Sequence, residues 1–257
     1  MNIIGIIPAR MASSRCPGKP MERINGIPMI GHVFYRSRLS SVLDDVYVAT
    51  CDSAIRDYIT SIGGRAIMTS PAHERASDRV AEALDVIEKE RGLRPDIVVM
   101  IQGDEPMLLP EMIEEAIRPM LTDPEVEVTN LMAPLEGIEE HEDPNEVKVV
   151  VDLNSDALYF SREAIPSRRK GAVIVPMFKQ VCIIPFRRNF LRTYLNLTPT
   201  PLEQIESVDM LRVLEHGYKV RMVVTLHRTY SVDTPEDLRF VEQLMKGDPL
   251  VSRYGSA

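Results

Sequence analysis

Three cations, Arg10, Arg15 and Lys19, fall within ten positions in the run Pro8-Ala9-Arg10-Met11-Ala12-Ser13-Ser14-Arg15-Cys16-Pro17-Gly18-Lys19-Pro20, which leaves the apolar stretch Ile3-Ile4-Gly5-Ile6-Ile7. Small residues let main-chain N–H groups come close to an anion, and cations spaced along such a loop suit a nucleoside triphosphate. An ordinary strand-to-helix turn with solvated charges would account for a lone Gly-Lys, but accounts poorly for the whole run. Two acidic turns stand far along the chain. In Gln102-Gly103-Asp104-Glu105-Pro106 the glycine eases a sharp turn and Asp104 emerges at the end of an apolar strand. A carboxylate there suits Mg²⁺, which keeps several waters and binds through one or two carboxylates plus substrate phosphates. In Ser231-Val232-Asp233-Thr234-Pro235-Glu236-Asp237-Leu238 either Asp233 or Thr234 caps a helix that has Pro235 at its first position. Asp233 is therefore either a cap or the second carboxylate of one Mg²⁺ site.

The elements that must position these residues alternate in type. Strand-like runs at Ile3 to Ile7, Asp45 to Thr50, Ala66 to Met68 and Ile97 to Ile101 are each followed by a helical pattern, at Met29 to Ser40, Ser53 to Ile62, Ser77 to Lys89 and Pro110 to Met120. Such a rhythm predicts an α/β fold with a mainly parallel central sheet, helices on both faces and ligands at the carboxyl ends of the strands. Beyond Asp123 the strand-like segments Val126 to Met132, Val147 to Val151 and Val181 to Ile184 predict a lobe at about 126–200, with the basic connector Ser167-Arg168-Arg169-Lys170-Gly171 inside it. Helical patterns return at Arg188 to Leu195 and Glu203 to His216, then a strand at Val220 to Thr225, a helix from Pro235 to Met245 and a tail expected to fray from Lys246. With no internal repeat and no linker-like tract, residues 1–257 read as a single domain carrying that lobe.

An apolar content of 44% in 257 residues suffices for a core without staples, and three scattered cysteines, Cys16, Cys51 and Cys182, give neither a disulfide framework nor a zinc site. A reducing cytoplasm fits best. No apolar run approaches the ~20 residues that span a bilayer, and the chain enters a strand by Ile3, so neither a membrane anchor nor a signal peptide is expected. A formal net charge of -8 disfavours nucleic acid as a partner, so the N-terminal cations read as a local site for small anions.

Pro8-Ala9-Arg10 with Pro17-Gly18-Lys19-Pro20, Gln102-Gly103-Asp104-Glu105-Pro106, Phe160-Ser161-Arg162, Pro201-Leu202-Glu203 with Ile205-Glu206, Leu211-Arg212 and Val232-Asp233-Thr234-Pro235-Glu236-Asp237-Leu238 together resemble the 3-deoxy-manno-octulosonate (KDO) cytidylyltransferases. The likeness spans nearly the whole chain in the family's motif order. It implies a Rossmann-like nucleotide-diphospho-sugar transferase fold, a homodimer whose dimerisation and sugar-binding surfaces lie in the lobe, and Mg²⁺-dependent transfer of CMP from CTP to a 3-deoxy-2-ulosonic acid. Under that resemblance Arg10, Lys19, Asp104 and Asp233 carry catalysis, with Asp104 and Asp233 on the metal. Pro8, Ala9, Arg10, Arg15, Lys19, Ser77, Arg79 and Gln102 contact CTP, while Gln102, Arg162, Gln180 and Glu206 face the sugar acid. Simpler readings stand beside these for Gln102 (a turn amide), Arg162 (a surface ion pair) and Glu206 (a solvated helix charge off the Leu202, Ile205, Val208, Leu211 stripe).

The chain departs from the family pattern in two places. Where the family carries His-x-Ser-Gly-Thr-Glu-Arg, this chain has His73-Glu74-Arg75-Ala76-Ser77-Asp78-Arg79, in which Ser77 is expected to cap the helix and His73 to hold a structural hydrogen bond. The Ala76-Ser77-Asp78 step resembles that of the acylneuraminate cytidylyltransferases. Where the family has His-Leu-Gly-Ile-Tyr-Gly-Tyr, this chain has Gln180-Val181-Cys182-Ile183-Ile184-Pro185-Phe186, and Met210 stands where a polar residue is usual. Losing hydrogen-bonding groups changes which hydroxyls a site accepts. The acid is therefore KDO, an amino-substituted KDO or a nonulosonic acid, and a catalytically silent nucleotide sensor is the reading from another class. A dinucleotide-binding dehydrogenase is disfavoured because the first loop lacks Gly-x-Gly-x-x-Gly.

Overall fold

A computed structural model describes residues 1–12, 17–168 and 176–255. The chain divides into two compact units, Met1–Glu114 with Thr229–Ala257, and Glu115–Arg228. The lobe expected at about 126–200 lies within the second.

In the first unit the elements run β1 (Ile3–Ala9), a 3₁₀ turn (Lys19–Met21), β2 (Arg23–Ile24), β3 (Ile27–Pro28), α1 (Met29–Arg38), β4 (Asp45–Thr50), α2 (Ser53–Ser61), β5 (Arg65–Met68), α3 (Ala76–Arg91), β6 (Ile97–Ile101) and α4 (Pro110–Thr122), within which the chain leaves the unit. Strands β6, β1, β4 and β5 lie side by side in that order, all parallel, with registers Gly5 against Val99, Gly5 against Val46 and Val48 against Ala66. The apolar runs of β1, β4 and β6 are buried almost without interruption, as strands covered on both faces require, whereas in β5 only Ile67 is buried. Arg10 follows directly on β1 and Asp104 stands three residues past the end of β6, so the parallel order brings both motifs to the carboxyl edge of neighbouring strands.

The second unit continues with β7 (Thr129–Pro134), α5 (Ile138–Glu142), β8 (Lys148–Val151), β9 (Ala157–Ser161), β10 (Phe178–Val181), β11 (Ile183–Arg187), α6 (Arg188–Leu195), α7 (Pro201–Glu206), α8 (Met210–Glu215) and β12 (Arg221–Val224). Its sheet has the order β12-β7-β10-β8-β9 and is antiparallel except between β12 and β7. The single helix expected over Glu203 to His216 is two. Ser207 adopts φ 55°, a left-handed conformation that no continuing helix allows, so α7 stops there and Ile205 from the expected apolar stripe is 77% exposed.

The last helix, α9 (Pro235–Leu244), returns to the first unit, where Val241 and Met245 pack with Ile24, Met29 and Val232 in one buried cluster. Through Gly255, the last described residue, the tail after Lys246 does not fray as expected. Arg36 of α1 is fully buried, and Asp248 supplies its counter-charge. His32 faces the Ile24 carbonyl through Nε2 at 2.9 Å, which puts its proton there and leaves Nδ1 to accept from the Tyr254 hydroxyl at 3.0 Å. That same hydroxyl accepts from Arg36 Nε at 3.0 Å, and the Tyr254 ring stacks on Tyr35 with centroids 5.0 Å apart. Burial, together with the nearby Arg36 charge, lowers the His32 pKa and keeps this arrangement neutral.

Candidate active site

Lys19 owes its position to Gly18, which takes φ 79°, a region that costs any residue with a Cβ, and starts the 3₁₀ turn. The Gly18 N–H is tied back to the Met11 carbonyl at 3.0 Å, while the Met11 N–H donates to Asp52 Oδ2 at 2.8 Å. Asp52, at the end of β4, thus anchors the described start of the cationic loop, a role the sequence reading did not assign. Arg10 itself is exposed and has no ion-pair partner among the described residues. Arg15 and Cys16 lie outside the described residues.

Gly103 serves a close approach, and its φ is not in the left-handed region: a Cβ there would meet the Pro8 carbonyl oxygen at 3.2 Å and Ile30 Cδ1 at 3.3 Å. The end of β6 can therefore lie against the end of β1, bringing Pro8 and Ala9 beside Gln102 and Asp104. Gln102 is half-buried, its amide unpartnered among the described residues.

Three motifs meet at the Lys19 ammonium. Nζ donates to Asp104 Oδ2 at 3.0 Å, to Asp233 Oδ1 at 3.4 Å and to the Val232 carbonyl at 2.7 Å, across sequence separations of 85, 214 and 213 residues. The Val232 N–H donates in turn to the Asp104 carbonyl at 2.9 Å, and the fully buried Val232 side chain anchors the segment. Of the two capping candidates the structure selects Thr234, whose hydroxyl accepts from the Asp237 N–H while Asp237 Oδ2 accepts from the N–H groups of Asp233 and Thr234. Relieved of capping, the Asp233 carboxylate turns to Lys19. Burial works to lower the Lys19 pKa, but the charges of Asp104 and Asp233 and their hydrogen bonds outweigh it and hold the pKa above the ordinary lysine value.

Two hard carboxylates that already gather a cation, each partly open to solvent, form the donor set Mg²⁺ prefers, and Asp104 Oδ1 has no partner among the described residues. No group of three or more metal-ligating side chains occurs among the described residues, so such an ion would depend on ligand phosphates for the rest of its shell.

The segment before α3 is held from within. Buried Arg79 donates to Thr69 Oγ1 at 2.6 Å and to the carbonyls of Ser70 and His73 at 3.3 and 3.1 Å, while Glu82 Oε2 accepts from the Ser70 N–H and lies 2.6 Å from His73 Nε2. Arg79 thus shapes the loop with its guanidinium, and His73 has the structural hydrogen bond expected of it. Ser77 is not the cap: Arg75 holds that position, and Ser77 is buried in the first turn.

In the second unit Glu206 and Arg162 meet each other. The Glu206 carboxylate accepts from Tyr159 Oη at 3.1 Å, Ser161 Oγ at 2.8 Å and the Arg162 N–H at 2.8 Å. Partial burial works to raise its pKa, yet these three donors outweigh that and hold it below the ordinary glutamate value. Arg162 Nε donates to the Glu206 carbonyl at 2.8 Å and Nη1 to the Pro144 carbonyl at 3.0 Å, leaving Nη2 without a partner among the described residues. Beneath them the fully buried Lys148 donates to the carbonyls of Asp143, Glu146 and Arg162, and burial lowers its pKa. Gln180 on β10 donates through Nε2 to Asn130 Oδ1 at 2.6 Å, whereas Ile184 and Met210 are buried in the core. Tyr159, Lys148 and Asn130 were not singled out from sequence. A lysine and an asparagine inside otherwise apolar strands are the signal that could have found the last two.

Residues 4–222 match the sequence profile of a family described as Cytidylyltransferase. The chain is 42% identical to a 3-deoxy-manno-octulosonate cytidylyltransferase of Syntrophotalea carbinolica, over 96% of this chain and 100% of that one. It is 41% identical to a mitochondrial 3-deoxy-manno-octulosonate cytidylyltransferase of Arabidopsis thaliana, over 95% and 83%. Among solved structures it is similar to CMP:2-keto-3-deoxy-manno-octonic acid synthetase complexed with CTP, with a TM-score of 0.88 and 38% identity over 96% of this chain and 100% of that one.

Proposed function

The chain belongs to the cytidylyltransferase family, a nucleotidyltransferase among the 3-deoxy-manno-octulosonate enzymes, and from that membership we propose that it transfers CMP from CTP to the anomeric hydroxyl of KDO or a close relative. The hydroxyl oxygen bonds to the α-phosphorus, the bond from that phosphorus to the bridging oxygen breaks, diphosphate leaves and the hydroxyl proton passes to solvent. The observation that carries this reading is the meeting of Lys19, Asp104 and Asp233 at one point, from motifs as many as 214 residues apart.

The residues act by alignment and charge. Arg10, exposed and without an ion-pair partner among the described residues, and Lys19 bind the phosphates, with Arg15 as a further cation. Pro8, Ala9, Gln102 and Ser77 border the nucleotide, and Arg79 orients the loop that holds it. Asp104 and Asp233 would hold Mg²⁺, which when bound neutralises phosphate charge and acidifies the attacking hydroxyl. On the sugar side Arg162 Nη2 meets the acid's carboxylate, Glu206 is held in place by its three donors, and Gln180 contacts the sugar. The second unit serves as the sugar-binding and dimerisation lobe of a cytoplasmic homodimer, and the product feeds lipopolysaccharide or another envelope polysaccharide. Among the described residues no helix is long and apolar enough to cross a membrane.

Diphosphate release from CTP and Mg²⁺ with KDO, an amino-substituted KDO and several nonulosonic acids tests this directly. Release with KDO or its amino relative, abolished by EDTA and restored by Mg²⁺, is the expected result. Silence across the panel with CTP binding intact would overturn the reading in favour of a nucleotide sensor.

A further inference from the structure

By the sequence resemblance Gln180 takes the place of the family pattern's histidine, and its surroundings determine which of its two amide ends is free to meet a ligand. One strand away, on β7, Asn130 is fully buried. Asn130 Nδ2 lies 3.0 Å from the Leu131 carbonyl and 2.7 Å from the Val181 carbonyl. Both neighbours only accept, so the end facing them must be the NH₂ and the other end must be the carbonyl. Asn130 Oδ1 therefore faces Gln180 as an acceptor, and at 2.6 Å the Gln180 atom opposite it must be the donor Nε2. Rotating the Gln180 amide would set two carbonyl oxygens against each other in a half-buried position, at the cost of an unsatisfied polar group. Gln180 Oε1 is left over, with no partner among the described residues. The other two departures on this side, Ile184 and Met210, are buried and carry no polar group.

We propose that Asn130 is a positioning residue that locks Gln180 so that it presents only a hydrogen-bond acceptor, and that this selects a sugar acid bearing a hydroxyl or ammonium donor at the facing position. A histidine in the same place can offer a donor or an acceptor according to its tautomer. The locked amide cannot. The proposal rests on the reading of this side as the sugar-acid site and names the selection made there.

The test uses the full-length protein, CTP, Mg²⁺ and KDO analogues in which each hydroxyl in turn is replaced by fluorine, which only accepts, or by an amine, which donates. In the wild type one position should stand out, with fluorine lowering kcat/KM by roughly tenfold to a hundredfold and the amine tolerated, as expected for a site built around a donor. Gln180→Leu should erase that discrimination while changing KM for CTP less than about twofold, since a missing acceptor cannot tell donor from fluorine. Asn130→Leu should free the amide to turn, narrowing the hydroxyl-to-fluorine ratio toward unity at that position alone. A merely structural role would lower all analogues together. If Asn130→Leu does not fold, Gln180→Leu decides alone. Unchanged discrimination in Gln180→Leu would overturn the inference while leaving the activity in place, whereas a wild type that turns over none of the acids would remove the activity and the inference with it.

Discussion

Lys19, Asp104 and Asp233 form a balanced group: one ammonium between two carboxylates, closed by the Val232 carbonyl. Deleting either aspartate leaves Lys19 one charged partner, so the fold loses little while the phosphate and metal chemistry loses a stabilising charge. Asp104→Ala and Asp233→Ala should each lower kcat by a hundredfold or more, equivalent to about 3 kcal/mol in the transition state, with a melting temperature within a few degrees of the parent. Steady-state kinetics beside a thermal melt would check this, and a melt that fell in step with activity would count against the site. The raised Lys19 pKa fixes the sign of its pH dependence. The ammonium's contribution to stability is fully present below the ordinary lysine value and is lost only as pH rises through the higher folded value, so it does not vary across the neutral range. At this scale the sequence was informative because cations in a small-residue loop and acids at strand ends are visible as types. The engagement of Arg79 with Thr69, Ser70 and His73, and of Glu206 with Tyr159 and Ser161, was not visible, since those partners are set by how loops fold back.

Elements explain how those side chains are aimed. Alternating Ile/Val runs and helical patterns were legible because each buries a periodic face, and all of the first unit's parallel strands fall where that rhythm puts them. The break at Ser207 was not, because the apolar spacing from Leu202 to Leu211 is helical throughout and only the residue's φ of 55° reveals the stop. The start of α9 lies between these cases. Thr234, Pro235 and Asp237 announce a cap in sequence, but the choice between Asp233 and Thr234 depended on Lys19 claiming the aspartate. Thr234→Ala should cost about 1 kcal/mol in urea denaturation, in the usual range for a lost N-cap, and Thr234→Ser should recover most of it. Since Asp237 also holds the Asp233 N–H, Thr234→Ala should in addition raise KM for CTP or lower kcat severalfold. A stability loss with unaltered kinetics would show that the cap does not aim Asp233.

On the scale of the whole chain, the first unit is closed by its own far end. Nothing local to residues 246–255 predicts order, because the reason for it lies 212 residues before Asp248, in an arginine placed on the buried face of α1. A guanidinium enclosed there needs a counter-charge and hydrogen-bond acceptors, and Asp248, Tyr254 and the Leu108 carbonyl provide them. Ending the chain at Gly247 would leave Arg36 buried without its carboxylate and uncover the stacked face of Tyr35. Breaking a buried pair by removing one partner costs roughly 3–5 kcal/mol, so the shortened chain should unfold at markedly lower urea concentration than the full one. The decisive comparison is with Arg36→Met in both backgrounds. If the cost comes from a stranded charge, Arg36→Met should destabilise the full chain yet recover part of the loss in the shortened one, a coupling readable as a double-mutant cycle. Equal effects of Arg36→Met in the two backgrounds would mean that the tail contributes only apolar cover, and that the fold tolerates Arg36 without Asp248.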